Sequence, residues 1–195
     1  IDTPGYMDYA GEEATGLMMG DNALIVVNAK EGIEAGTERA WREAVSKQRI
    51  PTIFFINKMD VENANFDTVY TSIRDKFVIP FEVPIVENGI VVGSVNILRR
   101  KAWYYNDRNT AKEVPSTLIG EVERYYNEIA EAIAMTDDEL MEKFFSGETF
   151  DEHELAKGLR IGVRNGDIRP VYCGSAENQT GIERLLDLIT EYFPS

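Results

Sequence analysis

The sequence is poor in the two side chains that most often carry thiol and metal chemistry. Its 195 residues include one cysteine, Cys173, and one histidine, His153. A lone thiol closes no disulfide within the chain. One residue of each kind cannot build a Cys/His zinc cluster, and it leaves little material for a Cys–His nucleophile. Positive charge is also scarce, with 20 Lys and Arg against 34 Asp and Glu, a formal net charge of −14. That balance argues against a direct nucleic-acid patch or unaided binding to an anionic membrane, both of which need clustered basic residues. Long apolar runs are missing as well. The longest, Ala23 to Val27, is five residues, against the roughly 18 that a membrane span needs, so a soluble chain is expected. Ile1 opens the sequence with no targeting pattern, and a piece cut from a longer protein is expected. At about 150 residues per domain, the length allows one domain or a domain with a subdomain.

What is present is an alternation of strand and helix signals. Ile1-Asp2-Thr3-Pro4-Gly5 reads as the end of a buried strand followed by a tight turn. Residues 8–20 predict a weak helix, because the glycines inside it each cost about 1 kcal/mol relative to alanine. Ala23–Val27 reads as a parallel strand buried on both faces. Thr37 is expected to cap a helix with Ala40, Trp41, Ala44 and Val45 on one face, ending near Arg49. Pro51–Ile56 is a second buried strand, so strand, helix and strand predict a right-handed parallel crossover. The spacing of Val69, Tyr70 and Ile73 predicts a short helix within the segment that runs to Phe77.

From Pro80 to about Tyr105 the texture changes. Asn88-Gly89 between apolar runs predicts a hairpin and an antiparallel patch. Residues 117–134 place Leu118, Val122, Tyr125, Ile129 and Ile133 at helical steps. Thr136-x-x-Glu139, Asp151-x-x-Glu154 and Thr180-x-x-Glu183 read as helix starts. The last of these is expected to open a helix with Ile182, Leu185, Leu186 and Ile189 inward, closed by Pro194. Pro170–Cys173 reads as a third short strand, ending on an inert buried thiol.

Three short signatures fall at the carboxyl ends of the expected strands, where open parallel sheets bind ligands. In Asp2-Thr3-Pro4-Gly5, the acid can hold a magnesium-bound water, and the glycine lets a backbone amide approach a terminal phosphate. An ordinary Asp-x-Pro-Gly turn competes with that reading. Asn57-Lys58-Met59-Asp60 suits a guanine. The Asp60 carboxylate offers two adjacent acceptors for the N1–H and 2-amino donors of that base, which adenine lacks. Lys58 can lay its methylenes along the base plane, and Asn57 can tie loops together. Gly174-Ser175-Ala176 has small residues that let backbone reach a flat base. Alone it says little, and the order of the three carries the signal.

Taken in that order, the motifs resemble those of the G domain of translational GTPases, most closely elongation factor G, with the likeness running along the whole chain. The resemblance implies a partial P-loop GTPase G domain, an α/β fold with parallel strands in three layers and an inserted α+β subdomain. It divides the chain into G-domain residues 1–77, an insert at 78–169 and a last strand and helix at 170–195. It implies GTP or GDP with Mg2+ as ligands: Asp2 in the magnesium shell through water, Gly5 at the γ-phosphate, and Asn57, Lys58, Asp60, Ser175 and Ala176 at the guanine. A cytoplasmic protein that works on the ribosome, driving translocation or a related step, is the implied setting. Tetracycline-resistance ribosomal protection proteins share the same motifs.

Two departures from the family pattern stand out. The residue after Asp-x-x-Gly, which in the family is usually a histidine that positions the attacking water, is Tyr6. A phenol with pKa about 10 is a poor replacement for imidazole near neutrality. Moreover, a phosphate-binding loop needs Gly-x-x-x-x-Gly-Lys-Ser/Thr, and no Gly-Lys dipeptide occurs in the sequence. Weak nucleotide binding, little or no hydrolysis by this chain and an exposed apolar edge at the 23–27 strand that invites self-association are therefore expected. An interaction module with no nucleotide turnover is the rival reading. His153 is expected on a solvated acidic face, and Trp103, Tyr104 and Tyr105 in a core.

Overall fold

The computed structural model describes residues 1–74 and 78–193. The expected helix signal before Phe77 forms α3 (Phe66–Ile73), while the end of that segment, and Pro194, lie outside the described residues. Two sheets form. A parallel one runs in the order β1 (Ala23–Asn28), β2 (Thr52–Asn57), β8 (Arg169–Cys173) and β3 (Val78–Pro80), and an antiparallel one in the order β4 (Glu82–Glu87), β5 (Ile90–Asn96), β6 (Lys101–Tyr104) and β7 (Asp107–Lys112). This is the α/β arrangement expected from the sequence. Val78–Pro80, the start of the span expected to be inserted, pairs with β8 in the parallel sheet.

β2 sits between β1 and β8, and Thr52 to Ile56 are buried without interruption. A strand covered on both faces has no reason to alternate polar and apolar residues. β1 is different. Ala23, Ile25 and Val27 are buried, but Leu24 and Val26 are 40% and 53% exposed. The expectation of two covered faces fails there because the face that carries Leu24 and Val26 borders an open cavity and only the opposite face is packed.

Asn88 and Gly89 both take positive φ, 52° and 79°, as the predicted two-residue hairpin between β4 and β5 requires. The two sheets join through backbone and rings. Phe81 N–H donates to Val171 O at 2.9 Å, Ile97 N–H donates to Phe81 O at 3.0 Å, and the Phe81 and Tyr172 rings lie 6.2 Å apart. One continuous apolar core therefore runs from Phe54 and Val171 through Val83 and Val95 to Ile129 and Ile133 of α4 (Ile119–Ala134).

Helix starts were readable to within three residues. Asp151 and Glu154 form the expected reciprocal cap of α6 (Glu152–Asn165), at 2.8 and 2.7 Å. α5 (Asp138–Phe145) is capped by Asp137 rather than Thr136, whose hydroxyl donates back to Ile133 O. α2 (Ala35–Trp41) starts at Glu34, with Thr37 accepting from the Glu34 N–H, and a π-helical segment, Arg42–Lys47, carries it on. α7 (Ile182–Tyr192) starts at Gly181, with φ 76°, not at Thr180. On α7, Leu185 and Leu188 are buried, whereas Leu186 points outward at 55% exposure. His153 is exposed, as expected.

Candidate functional site

β1, β2 and β8 are parallel, so their carboxyl ends emerge at one edge of the sheet. At that edge the loops after β2 and β8 are bonded together. Asn57 Oδ1 accepts from the Ala176 N–H at 2.9 Å across a separation of 119 residues. Met59 N–H donates to Gly174 O at 3.0 Å, and Gly174 N–H donates to Ile56 O at 3.0 Å. Asn57 thus ties the loops, a task its amide suits because the carbonyl oxygen can accept while the strand backbone continues its ladder.

Local conformation supports the junction. Lys58 adopts a left-handed φ of 64°, which turns the chain sharply out of β2 and leaves Lys58 and Asp60 exposed with Met59 buried between them. After β8, Ser175 and Thr180 exchange two backbone hydrogen bonds at 2.9 Å, closing a small loop. Gly174 is required there: a Cβ would stand 2.2 Å from Thr180 O. Ser175 is 1% exposed, and its hydroxyl accepts from the Asn178 N–H at 3.1 Å. The N–H groups of Ser175 and Ala176 are thereby satisfied within the protein. Thr180 was read from the sequence as a helix cap; its bridging role uses backbone atoms, which no side-chain pattern reveals. Burial pushes the thiol of the preceding Cys173 well up, which keeps it protonated and unreactive.

The loop that carries Asp2 and Gly5 forms no strand, and Ile1, Asp2, Gly5 and Tyr6 are all exposed, Tyr6 by 79%. The loop leads into a short 3-10 turn, Met7–Tyr9, and then α1 (Ala10–Met19), in line with the weak helix expected. Asp2, Gly5, Leu24, Val26 and Gly36 are among the residues that line a cavity of ≈740 Å3 between this loop, α1, β1 and α2. Among the described residues no cluster of three or more His, Cys, Asp or Glu could hold a metal ion. An ion near Asp2 would therefore need oxygens from a ligand such as phosphate to complete its shell.

A turn bearing an exposed acid and an interlocked pair of loops lie on one polypeptide with an edge-bound parallel sheet, and comparison with known proteins gives the arrangement a family. The profile described as "Elongation factor Tu GTP binding domain" matches residues 1–195. The chain belongs to this family. The membership makes it a G domain of the translational GTPase type, whose members bind guanine nucleotide. A crystal structure of a Thermus thermophilus protein is similar over 100% of the chain, with 34% sequence identity and a TM-score of 0.90. This elongation factor Tu-type domain corresponds to 30% of the length of that protein. The residues present fit the base of the nucleotide better than its phosphates. Asp60 and Lys58 stand exposed beside a loop pair already locked together, while no Gly-Lys pair is available to grip phosphate. Among the described residues, no helix is long and apolar enough to cross a membrane.

Proposed function

We propose that this chain forms the guanine-recognising side of the G domain of a cytoplasmic ribosomal translocation factor resembling elongation factor G. The observation that carries the reading is the Asn57–Ala176 hydrogen bond, which brings the Asn-Lys-x-Asp and Ser-Ala loops to one edge of the sheet. Asp60 would accept from the two adjacent guanine donors, Lys58 would cover one face of the base with its methylenes, and Asn57, Ser175 and Ala176 would fix the wall against which it rests. Asp2 would hold magnesium through water and Gly5 would approach the γ-phosphate; the nucleotide itself brings the phosphate oxygens and the bond to be cleaved. Residues 78–169 would be an inserted subdomain offered to partners on the ribosome. The antiparallel sheet and helices α4 to α6, lying in sequence between α3 and β8, support that division.

Titration of the chain with GDP and, separately, with ADP, followed by backbone amide NMR shifts, tests the reading. Shifts with GDP alone, centred on Asn57–Asp60 and Ser175, are expected. Equal shifts with ADP, or shifts confined to residues far from these loops, would refute the assignment. The absence of a Gly-Lys pair favours a second role for the chain taken alone, as an interaction unit that binds nucleotide weakly and does not turn it over. Measured GTP hydrolysis by the chain would remove that second reading.

A further inference from the structure

The Asp2–Gly5 loop has no strand to hold it, yet it is seated at three points. Thr3 lies over Gly16 of α1, where an added Cβ would come within 2.4 Å of Thr3 Cγ2. The Gly5 carbonyl faces Gly36 of α2, where an added Cβ would lie at 3.4 Å. Arg39, also on α2, donates from Nη2 to that same carbonyl at 3.4 Å. The guanidinium is committed on its other side as well. Nε and Nη2 donate to Oε2 of Glu13 at 2.8 and 2.5 Å, and Nη1 touches Met7 Sδ. Glu13 is only 6% exposed and its Oε1 has no partner. A carboxylate in that position inside a short helix is tolerated when a cation is brought to it. Arg39 thus serves the loop, the turn after it and the buried acid of α1 with one rigid group.

We propose that Arg39 is a positioning residue for the Asp2–Gly5 loop, coupling the loop and α1 to α2 through the Gly5 carbonyl and the buried Glu13 carboxylate. The planar fork is what makes this possible. A guanidinium carries five donors in fixed directions and can span two separated acceptors, whereas the three donors of an ammonium radiate from one compact atom on a flexible stem. The consequence for function rests on the reading of this loop as the phosphate-facing segment: a ligand that shifts the Gly5 backbone must then also disturb the Arg39–Glu13 pair, so the state of the loop is passed to α2. Arg39 touches no reacting atom in this scheme.

The test uses the whole chain without nucleotide. Amide relaxation order parameters report on residues 2–6, and hydrogen exchange reports on α1, for the unmodified chain and for Arg39→Ala, Arg39→Lys and Glu13→Gln. In Arg39→Ala, the order parameters of the loop are expected to fall from near ~0.85 to below ~0.6, and α1 exchange to rise by about tenfold or more. Amides of β2 and β8 should keep their protection. Arg39→Lys is expected to restore α1 through Glu13 while leaving the loop mobile. Glu13→Gln keeps the shape of the side chain without its charge, so it guards against a variant that fails to fold, and it too should loosen the loop. Rescue of both segments by lysine, an unchanged loop in Glu13→Gln, or a loss of protection spread equally over β2 and β8 would overturn the proposal. Because nucleotide is absent, a negative result here condemns the Arg39 coupling alone, and the GDP titration judges the base site separately.

Discussion

Asp60 and Glu82 are carboxylates in opposite surroundings, and each makes a distinct prediction. Asp60 is exposed at the end of the Asn57 loop. Asp60→Asn turns one of its two acceptors into a donor, which faces a guanine donor and cannot bond it. Binding of guanine nucleotides should weaken by a factor on the order of 10–100, while xanthine nucleotides, with a carbonyl in place of the 2-amino group, gain. Competition between GDP and XDP measures this. Glu82 on β4 is completely buried, accepts from the Ser94 hydroxyl at 3.2 Å through Oε2 and leaves Oε1 unpartnered. Burial pushes its carboxyl up to about 7, opposed by Arg184 of α7 and by the hydrogen bond from Ser94, with Asp187 adding to the rise. Between about 4.5, the ordinary value, and about 7 the folded chain holds a proton that the unfolded chain has released. Stability must therefore fall as pH rises through that window and level off above it. Glu82→Gln should flatten this dependence, so urea midpoints at about pH 5 and about pH 8 should agree in the variant and differ in the parent chain.

At the scale of elements, the loop after β8 is the part most sensitive to small changes. Gly174→Ala drives a methyl into Thr180 O, which is backbone and cannot step aside. The Ser175–Thr180 pairing should break, and the Asn57 loop should lose its partner. Loss of GDP-specific NMR shifts at Asn57–Asp60, with the antiparallel sheet unaffected, is the expected result. Asn57→Ala removes the hydrogen bond to the Ala176 N–H, a change worth about 0.5–1.5 kcal/mol and a melting shift of a few degrees in a chain of this size. Its effect on nucleotide binding should be larger than its effect on melting, because the bond sets loop position more than it holds the core. α2 shows the same division of labour. Trp41 anchors it to β2 with ring centroids 5.6 Å apart from Phe54, which leaves Arg39, two residues earlier, available to the loop.

For the molecule as a whole, GTP turnover by this chain should stay at the uncatalysed level. It has no Gly-Lys pair to grip the phosphates, and Tyr6 is an exposed phenol. A phosphate-release assay with and without Mg2+ checks this, and turnover above background would contradict it. How much could be read in advance follows the range of the interactions. The strands at 52–57 and 169–173, the Asn88-Gly89 hairpin, the Asp151 cap and the Asn57–Asp60 and Ser175–Ala176 motifs were legible because each depends on neighbours a few residues away. The exposed face of β1 was not legible, since the run Ala23–Val27 has the same apolar character whether one face is covered or two, and only what packs on each face settles which. Leu186 was expected inward but is exposed while Leu188 is buried, because the two lie on opposite flanks of the apolar stripe through Leu185 and only packing decides which flank is covered. By itself the sequence determined the alternating local structure and the residue types of the Asn57–Asp60 and Ser175–Ala176 loops. Tertiary structure alone decided that Asn57 meets Ala176 across 119 residues and that Arg39 meets Glu13 across 26, because such contacts exist only when packing of the core brings distant segments together and offsets the entropy of closing the chain between them.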